Sequence, residues 1–301
     1  MAHSEPTELS LFISEVETRV RCPVPDAMAA LSELWAGCRV PIVPPTRVAT
    51  IEVGAVEGDR ACSILLDGDL VAVAEQPPDV LPLIEAAIYR ALYAQRGPRV
   101  LLHAACVVLP GCDEPLVLVG PSGAGKSSLA LAALERGYRY FTDELTVTDG
   151  THVWGVPRAV QFEPVHASQA LPARLAASDL GLYALRIRGT DDHVETLGAV
   201  PVRVPVAHEL MLQPLLARMA RVIRIERALT TVCEPLDSLD ALAELHEASF
   251  GAPSLSLGTF VGRGRAFRLT WREPAEGLSR LESLISQTPA PSIRPPTHEP
   301  G

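Results

Sequence analysis

Apolar and polar residues follow strand-like and helix-like spacings along the first part of the chain. An alternating stretch over 9–22 predicts a strand, and apolar periodicity over 26–37 predicts a helix that Asp26 caps. Further β-rich runs separated by turn signals predict three strands, over 46–56, 61–67 and 70–76. A longer periodic segment over 78–95 predicts a helix with a core-facing apolar stripe. Residues 1–96 are therefore predicted to form a small N-terminal α+β domain of unknown role.

The pattern changes after residue 96, where short apolar runs begin to alternate with helical segments. The run over 100–109 and the run over 115–120 predict a hairpin whose second strand leads into a glycine-rich loop and then a helix. A single further strand is predicted over 138–150. The remaining predicted strands and helices alternate, over 221–229, 238–250, 265–271 and 276–287. We predict an α/β domain over 97–288 and a disordered, Pro-rich tail over 289–301.

The glycine-rich loop matches the pattern GxxxxGK[ST] and lies between a predicted strand and a predicted helix. Glycines let backbone N–H groups turn toward phosphate oxygens, and the following helix N-terminus favours negative charge. In this motif Lys126 would neutralise the β- and γ-phosphates of ATP, and the Ser127 hydroxyl would hold Mg²⁺. The predicted nucleotide-binding residues are Gly120, Pro121, Ser122, Gly123, Ala124, Gly125, Lys126, Ser127 and Ser128.

The composition supports this site in an unexpected way. Of the 26 basic residues, Lys126 is the only lysine and the other 25 are arginines. If each of the 26 basic positions were equally favoured, the lone lysine would fall at position 126 in about one case in 26. A phosphate loop needs a compact ammonium on a flexible stem, and a forked guanidinium does not replace it.

Charge and composition exclude several other classes of protein. A net charge of −10 with scattered basic residues and only 5% aromatic residues argues against a nucleic-acid-binding face. The first residues do not resemble a secretion signal, and no apolar run reaches the roughly 18 residues of a membrane span. The 6 cysteines form no CxxC pair, so we expect reduced, mostly buried thiols in a cytoplasmic protein.

An acidic pair follows the loop closely in sequence. Asp143 and Glu144 lie at the end of an apolar run shortly after the loop helix. The chain has neither an LSGGQ-like signature of ABC ATPases nor an NKxD-like guanine-binding motif. The sequence therefore favours a compact phosphotransferase among P-loop proteins.

The stretch from Leu101 to Val147 resembles the catalytic domain of the HPr kinase/phosphorylase family, in its HPr-kinase-related branch. The likeness includes His103, the PSGAGKSS loop, the helix ending in glycine, and the acidic pair. It continues more weakly through the segment 155–162, which contains a Pro-Arg pair, and on to about residue 287. Residues 1–96 lie outside the resemblance.

The resemblance implies an α/β fold with a P-loop kinase core of HPr kinase/phosphoenolpyruvate carboxykinase type. It implies transfer of the γ-phosphoryl group of ATP to a hydroxyl, usually of a serine. The implied catalytic residues are His103, Lys126, Asp143 and Glu144, and the implied Mg²⁺ ligands are Ser127, Asp143 and Glu144. The prototype pair is Asp-Asp, so the Asp-Glu pair here leaves open which carboxylate is the base. Hexameric prototypes imply self-association.

The chemistry of phosphoryl transfer by itself requires the same two roles, a Mg²⁺ ligand and a base. Phosphoryl transfer needs Mg²⁺ at the phosphates and a carboxylate that accepts the hydroxyl proton. Neighbouring residues of a strand point to opposite faces, so Asp143 and Glu144 can both serve only if the strand ends or bends there. The alternative is one catalytic acid beside a solvated neighbour. For Arg158, a contact with phosphate or substrate and a surface ion pair are both open.

The acceptor is less clearly indicated than the nucleotide. Bifunctional members of the family carry an Arg-Gly-x-Gly-type segment, and the nearest counterpart, over 188–190, lacks the second glycine. We therefore do not predict HPr as substrate or phosphorylase activity. The leading hypothesis is a kinase for a Ser/Thr hydroxyl of a protein or peptide. The alternatives are a small-molecule kinase with a lid over 165–200, and a nucleotide-binding regulatory protein without transfer activity.

Overall fold

The fold is mixed α/β with several sheets, and we describe it from a computed structural model. The structure describes residues 7–41, 43–55, 61–111, 114–162, 183–184, 202–204, 221–250, 255–263 and 266–287. The turn signal between the strands predicted over 46–56 and 61–67, Cys112, the 188–190 segment and the C-terminal tail lie outside these residues. Of the possible lid over 165–200, only residues 183–184 are described.

The secondary structure of the described residues is as follows. The strands are β1 Thr7–Ile13, β2 Val16–Cys22, β3 Arg47–Ala55, β4 Cys62–Leu66, β5 Asp69–Ala74, β6 Val100–His103, β7 Ala105–Val108, β8 Pro115–Val119, β9 Arg139–Thr142, β10 Leu145–Thr148, β11 Val153–Gly155, β12 Val160–Phe162, β13 Tyr183–Ala184, β14 Val202–Val204, β15 Arg221–Arg227, β16 Val232–Pro235, β17 Ser249–Phe250 and β18 Ala266–Trp271. The α-helices are α1 Pro25–Leu34, α2 Val80–Gln95, α3 Lys126–Glu135, α4 Ser238–Glu247, α5 Leu255–Arg263 and α6 Pro274–Gln287.

The N-terminal sheet has the order β1-β2-β3-β4-β5 and packs against α1 and α2. The single strand predicted over 9–22 is wrong, because a turn at Ser14, with a φ of 56°, folds it into the β1–β2 hairpin. Alternation continues on both sides of that turn, so the pattern does not mark it. Asp26 is also not the cap of α1: the helix begins at Pro25, and Val24 precedes it without a side-chain cap.

The central sheet has the order β16-β18-β15-β8-β7-β9. Strands β8, β15 and β18 run parallel to one another. Because β7 is antiparallel to both β8 and β9, these two strands also run in the same direction. The carboxyl ends of β8 and β9 therefore meet at one edge of the sheet, where ligands bind in open α/β sheets.

The second sheet has the order β11-β10-β6-β17. Two long apolar runs of the sequence each contribute one strand to this sheet and one strand to the central sheet. The predicted strand over 100–109 is split into β6 and β7, and the predicted strand over 138–150 is split into β9 and β10. In each case the first and second halves belong to different sheets. An unbroken apolar run does not reveal this change of sheet, because both halves are buried.

Three apolar clusters hold the layers together. One lies between the central sheet and the helices α3 and α6, and another covers the opposite face with α4 and α5. The third joins the N-terminal sheet to the second sheet, through residues that include Leu101, Leu145 and Trp154. The predicted stripe of α2 is confirmed as core-facing, since Val80, Ile84, Ile88 and Leu92 are all buried.

Within the described part of the chain, no helix has the length and apolarity needed to span a membrane. Five of the cysteines are described, and all five are free thiols.

Candidate functional site

The glycine-rich loop joins β8 to α3, as the sequence predicts. Gly120, Gly123 and Gly125 have φ angles of 155°, 81° and 90°. Residues other than glycine rarely adopt such positive φ angles. The Lys126 ammonium donates hydrogen bonds to the carbonyl oxygens of Gly120, at 2.9 Å, and Pro121, at 3.3 Å. Burial lowers the pKa of Lys126, and the nearby Asp143 carboxylate partly opposes this shift.

Two of the loop glycines are also required by packing. A Cβ atom on Gly125 would lie 2.3 Å from Cζ2 of Trp271, and one on Gly120 would lie 2.6 Å from the carbonyl oxygen of Ile225. Trp271 ends β18 and is fully buried, so it supports the loop from below. The Arg227 guanidinium lies 4.8 Å from the centre of a Trp271 ring.

The acidic pair occupies the link between β9 and β10, where the chain passes from the central sheet to the second sheet. The Thr142 hydroxyl accepts hydrogen bonds from the backbone N–H groups of Glu144, at 3.3 Å, and Leu145, at 3.2 Å. The Ala104 N–H donates to the Glu144 carbonyl at 3.1 Å, so the neighbouring β6–β7 link fixes this turn. The strand therefore ends at the pair, and the two carboxylates are not forced to opposite faces of a sheet.

Asp143 connects the acidic pair to the glycine-rich loop. The Ser127 hydroxyl donates to Oδ2 of Asp143 at 3.2 Å, and the Tyr140 hydroxyl donates to Oδ1 at 2.9 Å. Asp143 is buried, with a side chain 1% exposed. Burial and the Asp143 charge raise the pKa of Tyr140 well above its ordinary value, so Tyr140 remains a donor.

Arg158 lies beside both carboxylates. Its guanidinium forms an ion pair with Glu144 and lies 4.0 Å from Oδ1 of Asp143. The Arg158 side chain is 1% exposed, so the alternative of a surface ion pair is wrong. Burial opposes its charge, but the surrounding Tyr89 and Asp143 outweigh that effect and keep its pKa raised.

His103 ends β6, and its backbone N–H donates to the carbonyl oxygen of Ala248 at 2.7 Å. Its ring packs against Phe250, with 6.1 Å between the ring centres. Burial lowers the pKa of His103, and the positive charge of Lys126 lowers it further, against the effect of Asp143. His103 is therefore a neutral imidazole at pH 7 and lies within electrostatic range of the loop.

The structure thus brings together the loop, Lys126, Ser127 and Asp143, with Glu144 and His103 around them. The sequence missed the residues that support Asp143 and Glu144, namely Tyr140 and Tyr89. Tyr140 lies three residues before Asp143, and this short spacing is the one sequence feature that agrees with its hydrogen bond to that carboxylate. Tyr89 carries none, because it lies in helix α2, whose apolar periodicity explains an aromatic side chain there as a packing residue.

No protein-family profile matches this chain. The chain is 36% identical over 76 residues to HPr kinase/phosphorylase from Lachnoclostridium phytofermentans, which covers 24% of each protein. It is also 34% identical over 170 residues to the sn-glycerol-3-phosphate import ATP-binding protein UgpC from Burkholderia ambifaria, covering 48% of this chain and 42% of that protein. An equal match is found to UgpC from Burkholderia lata.

These likenesses span less than half the length of each curated relative. By name, these relatives are a kinase/phosphorylase and an ATP-binding import protein. They do not separate the one class of protein from the other. The particular branch and reaction are therefore matters for a proposal.

Proposed function

We propose that this protein is an ATP- and Mg²⁺-dependent kinase that transfers the γ-phosphoryl group to a Ser/Thr hydroxyl of a protein or peptide. The observation that carries the proposal is the 3.2 Å contact between the Ser127 hydroxyl and the Asp143 carboxylate. It joins the loop that would hold the phosphates to an acidic pair that would serve the chemistry. Lys126, beside this contact, supplies the positive charge for the β- and γ-phosphates.

The donor set fits Mg²⁺. The Ser127 hydroxyl and the Asp143 carboxylate are hard oxygen donors, which this ion prefers, and they already lie within hydrogen-bonding distance of each other. Among the described residues no three His, Cys, Asp or Glu side chains form a metal cluster, so phosphate oxygens and water would complete the coordination. When bound, Mg²⁺ would neutralise charge on the β- and γ-phosphate oxygens.

The burial of the two acids suggests a division of roles. The Asp143 side chain is 1% exposed and contacts Ser127, whereas the Glu144 side chain is 38% exposed. We assign Asp143 to the metal and Glu144 to the proton of the acceptor hydroxyl, because a base must reach the incoming substrate. Glu144→Gln should then abolish transfer and leave Mg-ATP affinity unchanged, while Asp143→Asn should also weaken the dependence of binding on Mg²⁺.

Transfer is tested by incubating the protein with γ-labelled ATP and a cell lysate or Ser-containing peptides. Label should appear on a serine or threonine of an acceptor. It should fall about 10²-fold or more in Lys126→Ala and in Asp143→Asn. Asp69→Asn is the matched control, since Asp69 is exposed at the start of β5 and far from the loop in sequence. Equal labelling by wild type and Lys126→Ala would contradict the proposal.

The likeness to UgpC makes ATP hydrolysis the second candidate. In that case the γ-phosphate is transferred to water, and label appears as free phosphate whether or not an acceptor is present. The same assay separates the two: an acceptor that suppresses phosphate release and gains label supports a kinase. Labelled free serine or sugar in place of a peptide would identify a small-molecule kinase.

A further inference from the structure

Residues 1–96 have no function assigned by sequence, yet they contact the candidate site directly. The apolar cluster beneath the N-terminal sheet includes Leu145 and Val147, which follow the acidic pair in β10. It also includes Val156 and Ala159, which flank the segment that carries Arg158. The N-terminal unit therefore packs against the chain on both sides of the acidic pair and its arginine.

The backbone around Arg158 forms one hydrogen bond with the end of α1 and one with Cys38, four residues further along the chain. The Ala159 N–H donates to the carbonyl oxygen of Leu34 at 2.7 Å. On the other side of Arg158, the Cys38 thiol donates to the carbonyl oxygen of Pro157 at 3.7 Å. Burial raises the pKa of Cys38, which therefore remains a neutral thiol donor. These bonds fix the position from which the Arg158 side chain extends.

Helix α2 supplies two polar side chains to the same place. The Tyr89 hydroxyl donates to Oε2 of Glu144 at 3.2 Å, and its ring lies 5.8 Å from the Arg158 guanidinium. Glu85, one turn earlier, is buried and accepts a hydrogen bond at 3.1 Å from the Trp35 indole N–H. The rings of Trp35 and Tyr89 pack with 6.0 Å between their centres. Tyr89 of α2 thus contacts both Arg158 and Glu144, and Trp35, directly after α1, packs against Tyr89.

Glu144 needs such support because it sits in a turn between two sheets. Its backbone N–H is bonded to the Thr142 hydroxyl rather than to a neighbouring strand. Misplacing a reacting group by about 1 Å can cost on the order of 10²-fold in rate. Residues that orient the ligands of metal sites are typically worth about 10- to 100-fold, and we take the same scale for the residues that orient Glu144.

We infer that the N-terminal unit holds the acidic pair in its working position, with Tyr89 and Arg158 as positioning residues for Glu144. This inference rests on the proposed kinase function. Tyr89 acts through its hydrogen bond to Glu144, and Arg158 acts through its ion pair with the same carboxylate. Neither residue needs to contact the phosphoryl group.

Tyr89→Phe tests the inference, because it removes one hydroxyl and keeps the ring. We expect kcat to fall about tenfold with the KM for ATP unchanged, since the phosphate loop is not altered. Tyr93→Phe is the matched control: Tyr93 lies one turn further along α2, is 42% exposed and packs against Arg96. Equal kcat values for Tyr89→Phe and Tyr93→Phe would overturn the inference and leave the kinase proposal standing.

A stability cycle tests the contact without any acceptor. The melting temperatures of wild type, Tyr89→Phe, Glu144→Ala and the double variant should be non-additive, the double variant losing clearly less than the two single losses together. Additive losses would contradict the positioning role. If no acceptor is ever labelled but the losses are non-additive, the kinase proposal fails and the positioning of Glu144 by Tyr89 still holds.

Discussion

The glycine-rich loop and the acidic site meet at Ser127 and Asp143, but they are built in opposite ways. The loop is nine consecutive residues, 120–128, whose shape is set by glycines and by the helix that follows. The acidic site is assembled from the β9–β10 link, Arg158 and side chains of α2, which are far apart in sequence. The loop can therefore be recognised from its sequence motif, whereas the acidic site can be recognised only from the tertiary structure.

The largest effect is expected at the centre of the assembled site. Arg158→Met leaves Asp143 and Glu144 without their shared buried cation, which should lower the free energy of unfolding by about 3 kcal/mol. Chemical denaturation measures this loss. Arg21→Met is the matched control, because Arg21 also pairs with two carboxylates, Glu8 and Glu52, but is 46% exposed. Its loss should be much smaller, because exposed ion pairs contribute little to stability. Similar losses would mean that the buried ion pairs of Arg158 stabilise the protein no more than the exposed pairs of Arg21 do.

The next effect is expected in the loop. Gly125→Ala combines a φ of 90° with a Cβ placed 2.3 Å from Trp271, so it should destabilise the protein by about 2 kcal/mol and lower ATP affinity. Gly123→Ala has a similar φ of 81° and no atom within 4 Å of the added Cβ, so only the backbone strain of about 1 kcal/mol remains. Denaturation and a fluorescent ATP analogue measure both variants. A larger loss in Gly123→Ala would contradict the packing of the loop on Trp271.

The smallest effect is a change in pH dependence at Glu85. Burial raises the pKa of Glu85 above its ordinary 4.5, although Arg158 and Trp35 oppose the shift. The folded protein therefore holds this proton more tightly than the unfolded chain, and stability decreases as the pH rises from about 4.5 through the folded-state pKa.

Glu85→Gln mimics the protonated acid and should remove that decrease. Melting temperatures of the variant, measured from pH 4 to pH 8, should fall less with rising pH than those of wild type. Glu52→Gln, at an exposed position of β3, should keep the wild-type slope. A steeper fall in Glu85→Gln would mean that Glu85 is ionised and stabilises Arg158.

The sequence predicts what local patterns encode. Helix α2 and helix α3 lie close to their predicted positions, and the loop lies between β8 and α3 as expected. The sequence does not show where a buried run changes sheet, and so it joins β6 to β7 and β9 to β10. That change of sheet at Asp143 and Glu144 is what allows both carboxylates to face Arg158.

The supporting residues were beyond sequence reasoning for a different reason. Arg158 is one of 25 arginines, and nothing near it in sequence indicates burial. Tyr89 belongs to a helix whose apolar periodicity explains it fully as a packing residue. Their roles arise only from the packing of the N-terminal unit against the second sheet.

The most direct test of the site uses the single lysine. Lys126 and the α-amino group are the only amines of the chain, and burial lowers the pKa of Lys126, which favours its reactive neutral form. The rate of Lys126 modification by an amine reagent is followed by peptide mass spectrometry, with and without Mg-ATP. If the loop holds the phosphates of ATP, Mg-ATP should slow the modification in proportion to its occupancy. An unchanged rate at saturating Mg-ATP would contradict the account.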